Sequence, residues 1–304
     1  IEKAGQSISL EALPDIFLGT EPFAVKATAT SGLKVGLAIA SDPAGIASIN
    51  GDVVTVTGIG KVAIIASQPG NANYNPAPQV SDTFLVSNPP PPMVYVSGTA
   101  EQPNTVSVQK ASTNNVILRV AISTTGAWNP IKPVFTFSTN GTTNAAQDIS
   151  KAKLYFTGGS DVFSTTTLAG TINAPNGSFQ IASTQALLGD TTNYFWLVYD
   201  VPATAGNSHL LDAELTSINA NGVKTPTVSA PAGNRTICPT PVISASKTTI
   251  CAGASVTLTS DIAPGIRWST GDTTASITVT KGGTYYVVYT DPEACSSTSN
   301  SITI

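Results

Sequence analysis

The chain has 304 residues, enough for two or three domains that each bury a core. Charged residues are 11% and hydrophobic residues 41%, which excludes a disordered or coiled-coil chain, and a formal net charge of -4 without a basic run excludes nucleic acid as a partner. No window approaches the roughly 18 consecutive apolar residues of a spanning helix, so no membrane insertion of this segment is predicted. Ile1-Glu2-Lys3-Ala4 lacks the apolar core of a signal peptide, and the expectation is a piece of a longer precursor.

Helical periodicity is nearly absent. The best candidate, Ala145 to Lys153, amounts to one or two turns. What recurs is alternation at period two in short segments separated by Gly, Pro, Asn or Asp, which predicts an all-β chain of three tandem β-sandwich domains.

The first domain is read over residues 1–88. Its strand candidates are Ser7 to Leu10, Phe23 to Ala29, Val35 to Ala40, Val53 to Val56, Lys61 to Ala66 and Thr83 to Val86, spaced for an immunoglobulin-like sandwich. Ser31-Gly32-Leu33-Lys34-Val35, Gly58-Ile59-Gly60 and Ala66-Ser67-Gln68-Pro69-Gly70-Asn71-Ala72-Asn73-Tyr74-Asn75-Pro76-Ala77 resemble the bacterial Ig-like repeat found in tandem in very large exported surface proteins and adhesins. The resemblance implies a spacer without an active site. Tyr74 is expected to pin a sandwich corner rather than to touch a ligand. Pro89 to Pro92 follow as a linker, expected to favour polyproline II and to separate the domains by about 12 Å at roughly 3.1 Å per residue.

The second domain, 93–237, has strand candidates at Val116 to Ile122, Val134 to Ser138, Lys151 to Phe156, Phe179 to Ala182, Tyr194 to Asp200 and Leu210 to Leu215. Tyr194 to Asp200 is almost wholly aromatic or apolar and reads as a central strand covered on both faces, around which a larger jelly-roll-like sandwich is built. Val116 to Val120, Ala152 to Gly158, Asn193 to Asp200 and the exit Pro231-Ala232-Gly233-Asn234-Arg235-Thr236-Ile237 resemble the accessory domain at the N-terminus of BNR-repeat sialidases, which is suspected of binding carbohydrate or serving as a scaffold. Sialidase activity itself is not expected: the arginine triad and repeated Asp-box turns are missing. Trp128 beside Asn129 is the one tempting glycan contact, weighed against a Trp that merely covers one end of the sandwich; Trp196 is expected in the core.

The third domain, 238–304, has strand candidates at Val242 to Ala245, Ser255 to Thr259, Ile266 to Ser269, Ser276 to Val279, Thr284 to Tyr289 and Ser301 to Ile304. Ile250 to Leu258, Trp268 to Thr274, Gly283 to Val287 and Ala294 to Ser299 resemble the Ig-like or PKD-like repeats of giant gliding-motility and surface adhesins exported by type IX secretion. That resemblance implies a disulfide between Cys251 and Cys295, which would close a loop of about 44 residues and contribute roughly 4 kcal/mol on the loop-entropy model. Cys238 is then left as a half-buried thiol or pairs elsewhere, a Cys238 to Cys251 bond being the competing but less useful closure. A disulfide fits an extracellular, cell-surface address.

Catalytic chemistry is not expected. His209 is the single histidine, in a polar loop, and is read as a surface residue without a role; no Gly-x-Ser-x-Gly elbow occurs. Asp148, Asp161, Asp190, Asp200, Asp212 and Glu214 could converge only in three dimensions and are expected as turn formers and solvated edges. No cofactor is expected; structural Ca2+ lacks a supporting Asp-rich loop, and three cysteines with one histidine do not make a zinc site. The predicted function is a non-catalytic modular segment of a large secreted or surface adhesin or fibre. Its partners would be the other modules of the same long chain, further copies in a homo-oligomer or fibre, or surface glycans. The alternative is a carbohydrate-binding accessory region of a secreted glycan-active enzyme.

Overall fold

Apolar residues at every second position, interrupted by turn formers, leave short strands as almost the only regular structure this chain can form. The computed structural model describes residues 2–292 and 295–304 and is built of such strands. Ile1, Glu293 and Ala294, the last of them the start of the Ala294 to Ser299 motif, lie outside the described residues. The chain divides into two compact units, Ile1–Pro90 and Pro91–Ile304.

The first unit contains β1 (Ile8–Leu10), β2 (Ile16–Phe17), β3 (Phe23–Ala24), β4 (Ala27–Ala29), β5 (Gly36–Asp42), β6 (Ala47–Asn50), β7 (Val53–Val56), β8 (Gly60–Ser67) and β9 (Val80–Ser87). They form sheets of order β2-β9-β8-β5, β3-β7-β6 and β1-β4, antiparallel throughout except for the β2–β9 pair. Val25, Val54, Val56, Val62, Ile64, Phe84 and Val86 make the core. The corner at 68–75 is pinned by Gln68 and Asn71. The Gln68 amide oxygen accepts from Gln6 Nε2 at 2.8 Å and from the Gly70 N–H, Asn71 Oδ1 accepts from the N–H groups of Asn73 and Tyr74, and Tyr74 adds its own backbone, bridged to Ala4.

The second unit opens on β10 (Val94–Glu101), β11 (Ser112–Thr125), β12 (Val134–Ser138), the four-residue helix α1 (Ala145–Asp148), β13 (Lys151–Gly158), β14 (Leu168–Asn173), β15 (Ser178–Ala182), β16 (Thr192–Val201), β17 (Leu210–Leu211), β18 (Glu214–Asn219), β19 (Val223–Lys224) and β20 (Arg235–Thr236). Two antiparallel sheets, β10-β11-β16-β13-β14 and β15-β12-β18-β19, face each other, and β16 lies at the centre of the larger one. Because side chains alternate across a strand, Phe195, Leu197, Tyr199 and Val201 enter the core between the sheets, where Phe195 meets Phe135 at 4.8 Å between ring centroids. Trp196 and Val198 point the other way, into a second small cluster with Tyr155.

The proline run is split. The Pro91 carbonyl accepts from the N–H groups of Ala127 and Trp128, and the Trp128 carbonyl accepts from Met93 N–H at 2.8 Å. Prolines lack a donor but keep an acceptor, so Pro91 and Pro92 can dock on the 126–128 turn instead of standing free as polyproline II.

The rest of the second unit is β21 (Ile243–Ala245), β22 (Val256–Ser260), β23 (Ile266–Trp268), β24 (Ser276–Val279), β25 (Thr284–Tyr285), β26 (Val287–Thr290), β27 (Ser296–Thr298) and β28 (Ile302–Thr303). Sheets β21-β22-β24 and β23-β26-β27, with the β25-β28 pair, enclose a small core around Trp268, whose indole N–H donates to the Thr274 carbonyl at 2.8 Å.

Candidate functional site

A set of long-range interactions joins the larger sandwich to the smaller one. Strand β20 brings in Arg235, which is 7% exposed and whose guanidinium donates to the carbonyls of Val106 (2.7 Å) and Val116 (3.0 Å). A buried guanidinium held by carbonyls fixes this exit strand in place. The following residues are threaded between two segments. Val108 exchanges backbone hydrogen bonds with Thr236 and Cys238, and Ile237 does so with Ser208 and His209.

On the other side, Asp291 follows β26: its carboxylate accepts from Cys295 N–H at 2.8 Å, and its own N–H donates to the Cys295 carbonyl. The same carboxylate accepts from Ser107 Oγ of the larger sandwich at 2.9 Å, and Gln109 Nε2 lies 3.7 Å from the Cys295 sulfur. Asn207 makes a two-way bond with the Thr240 backbone, and Ser297 Oγ donates to the Pro239 carbonyl. The joint is closed covalently by a disulfide between Cys238 and Cys295, with Cα atoms 6.0 Å apart.

This pairing corrects the expectation of a Cys251 to Cys295 bond. Cys251 is free and exposed. It sits in the loop before β22, where it lines a recess with Thr280, Gly282 and Ile304, at the end of the sandwich from which β25 and β26 depart. Cys295 lies past the other end of β26, where Thr290 pairs with Ser296. The run from Gly283 to Thr290 spans roughly 20 Å at ~3.3 Å per residue, far beyond disulfide reach. No local pattern separates Cys238 from Cys251 as the partner; only the topology does.

Trp128 stands on the turn that holds Pro91 and Met93 and is 37% exposed. Five recesses among the described residues have no Trp or Tyr in their walls; they are lined mainly by hydroxyl, amide, carboxylate and small aliphatic side chains, the one at the joint (about 480 Å³) by Thr105, Ser107, Asn234, Thr236 and Asp291 among others. Trp196 is buried on the outer face of the larger sheet instead of between the sheets. Phe163 from the β13–β14 connection covers it at 5.6 Å, its indole N–H donates to Thr157, and Arg119 lies 5.9 Å from its ring. Arg119 is in turn paired with Glu101 and Asp161.

His209 does have a partner, contrary to its reading as an idle surface residue. Its Nδ1 lies 2.9 Å from the fully buried Asp148, whose carboxylate also accepts from the N–H groups of Gly206 and Asn144. The acids are dispersed among separate duties: Asp190 accepts from Gly126 N–H, Asp200 binds Lys153 at 2.7 Å, and Asp161 pairs with Arg119. Asp212 and Glu214 are close enough to interact; burial, and secondarily the Glu214 charge, raise the Asp212 pKa against the lowering effect of the Ala213 N–H. Among the described residues no group of three or more His, Cys, Asp or Glu side chains could hold a metal ion, and no helix is long and apolar enough to cross a membrane.

No protein-family model matches the chain, and no curated protein does. Solved structures with some likeness include murine CEACAM1b, at 13% identity and TM-score 0.20, covering 68% of this chain and 98% of that one. Another is the Bacteroides ovatus mixed-linkage glucan utilization protein SGBP-B in complex with a heptasaccharide, at 10% identity and TM-score 0.19, covering 100% and 70%. A third is the four N-terminal Ig domains of Dscam1 isoform 9.44, at 8% identity and TM-score 0.23, covering 100% and 72%. TM-scores this low carry no argument about arrangement or function, so the functional reading rests on the chain's own residues.

Proposed function

We propose that this chain is a non-catalytic modular segment of a large secreted or cell-surface protein, a stalk and attachment scaffold whose modules set reach and stiffness. The observation that carries the reading is the joint at Cys238 and Cys295. Between ordinary domains of one chain, relative motion is the default unless the interface is large and apolar. Here a disulfide, the Ser107–Asp291 bond and the Asn207–Thr240 pair lock a polar joint. Stiffening a joint at the cost of two cysteines suits a spacer that transmits length or force. An oxidised pair supports an extracellular address, and the sequence resemblance extends the reading to surface adhesins exported by type IX secretion.

The test is a distance distribution between spin labels at the exposed Gln180 and Ser276, measured on the full chain in a Cys251→Ser background. A single narrow distance that broadens in the Cys238→Ser, Cys295→Ser double variant supports the locked joint; a broad distribution with the disulfide intact sinks it. In parallel, saturable binding of the full chain to a glycan array, lost in Trp128→Ala, would replace the stalk by a carbohydrate-binding accessory region.

A further inference from the structure

Strand β5 ends the β2-β9-β8-β5 sheet, bonded to β8 on one side only. Such an edge presents a row of unpaired backbone donors and acceptors and is usually blunted by a bulge, a proline, an inward charge or a covering loop. None of these lies within β5, and the gap between the sheets stays open beside it as a cleft of about 720 Å³ walled by Val25, Leu33, Val35 and Leu37 among others. Burial alternates cleanly from Leu33, ahead of β5, through to Asp42 at its end. Leu37 and Ile39 face the core, while Lys34, Gly36, Ala38, Ala40 and Asp42 are exposed on the other face. No large side chain on that face would obstruct a neighbouring strand.

We propose that β5 pairs antiparallel with β5 of a second copy of this chain, about a two-fold axis at Ala38. The charge pattern selects both the occupant and the register. With Ala38 opposite Ala38 of the other copy, Gly36 falls opposite Ala40, Leu37 opposite Ile39, and Lys34 opposite Asp42 at both ends. Opposed residues then lie on the same face, as antiparallel pairing and two-fold symmetry both require. Within the chain Asp42 already lies opposite Lys61 of β8, whereas Lys34, just ahead of β5, has no ion-pair partner among the described residues. A shift of two residues either way places Lys34 opposite Ala40 or Ala44 and leaves Lys34 without an opposite charge. One strand pair buries little area, so the contact between two isolated chains is weak, and it gains strength where many copies are held on one surface or fibre.

Cysteine cross-linking of the full chain in a Cys251→Ser background tests the register. Ala38→Cys brings two thiols face to face across the axis, within disulfide reach. Ala40→Cys leaves its two copies about 13 Å apart at ~3.3 Å per residue. Both positions are exposed, and unchanged melting of each variant confirms folding. The expected result is a covalent dimer formed at least roughly tenfold faster by Ala38→Cys than by Ala40→Cys. Sedimentation over a concentration series should show Lys34→Asp weakening self-association about tenfold and Lys34→Arg, which keeps the charge, retaining it. Equal cross-linking at both positions, a monomer at every concentration, or equal weakening by Lys34→Asp and Lys34→Arg overturns the proposal, and pairing of β5 with a different protein's strand would appear as the second of these.

Discussion

Asp212 is a carboxylate whose environment opposes its charge. Its carboxylate is packed against the backbone of Gly141, where the left-handed φ of +86° and a Cβ that would lie only 2.3 Å from Oδ2 admit no larger residue. Burial is the first cause of its raised pKa and the Glu214 charge adds to it. A carboxyl whose pKa is higher in the folded than in the unfolded state binds more protons when folded, so its contribution to stability falls as pH climbs above the ordinary value of 3.8. Asp212→Asn keeps the acceptor used by the Ala213 N–H and removes the charge. The variant should therefore melt above the parent at pH 7 and the advantage should vanish at a pH below 3.8; an offset of the same size at both pH values would show that packing, not ionisation, is responsible. The neighbouring Asp148–His209 pair makes the complementary point about legibility. Sixty-one positions separate the two, and nothing near His209 in sequence announces a buried carboxylate, so a polar loop histidine looked idle until the fold supplied its partner.

At the scale of elements, β16 was readable because aromatic and β-branched residues without a breaker dictate a buried strand wherever it lies. Short hydrophobic runs at Val53–Val56, Val134–Ser138 and Ser276–Val279 were readable to the residue. The edge strands β10 and β14 were not, since half of each faces solvent and a Gly-Thr step interrupts each run, Gly98-Thr99 in one and Gly170-Thr171 in the other. What covers the outer face of β16 was also hidden, because the cover is the irregular β13–β14 connection, delivering Phe163 onto Tyr155 and Trp196. Phe163→Ala should uncover the indole. We expect a red shift of the emission contributed by Trp196 and a loss of about 1–2 kcal/mol, as for a partly buried aromatic. The Phe163→Ala, Trp196→Phe double variant should show no such shift, and a shift that persists in it would mean that another tryptophan is responding.

For the whole molecule the decisive choice is which cysteine closes the third module. Resemblance to a repeat with an internal bond favoured Cys251, and the loop-entropy argument could not object, because closures of similar length stabilise almost equally. The observed bond spans 57 positions and gives about 4 kcal/mol on the same model, but it ties Cys238, whose N–H is bonded to the Val108 carbonyl of the larger sandwich, to Cys295 just before β27 of the smaller one. Its effect is therefore felt in two places. Without the bond, the small core around Trp268 loses a constraint that a module of this size needs, and the joint loses its covalent closure. Calorimetry on the full chain separates the alternatives: Cys295→Ser and Cys238→Ser should each lower the melting of the third module by the same amount, up to about 4 kcal/mol, and split it from that of the larger sandwich. Cys251→Ser, which removes an exposed thiol, should leave every transition in place. If Cys251→Ser were instead the damaging change and Cys238→Ser silent, the bond would be internal to the third module and the joint would be a hinge.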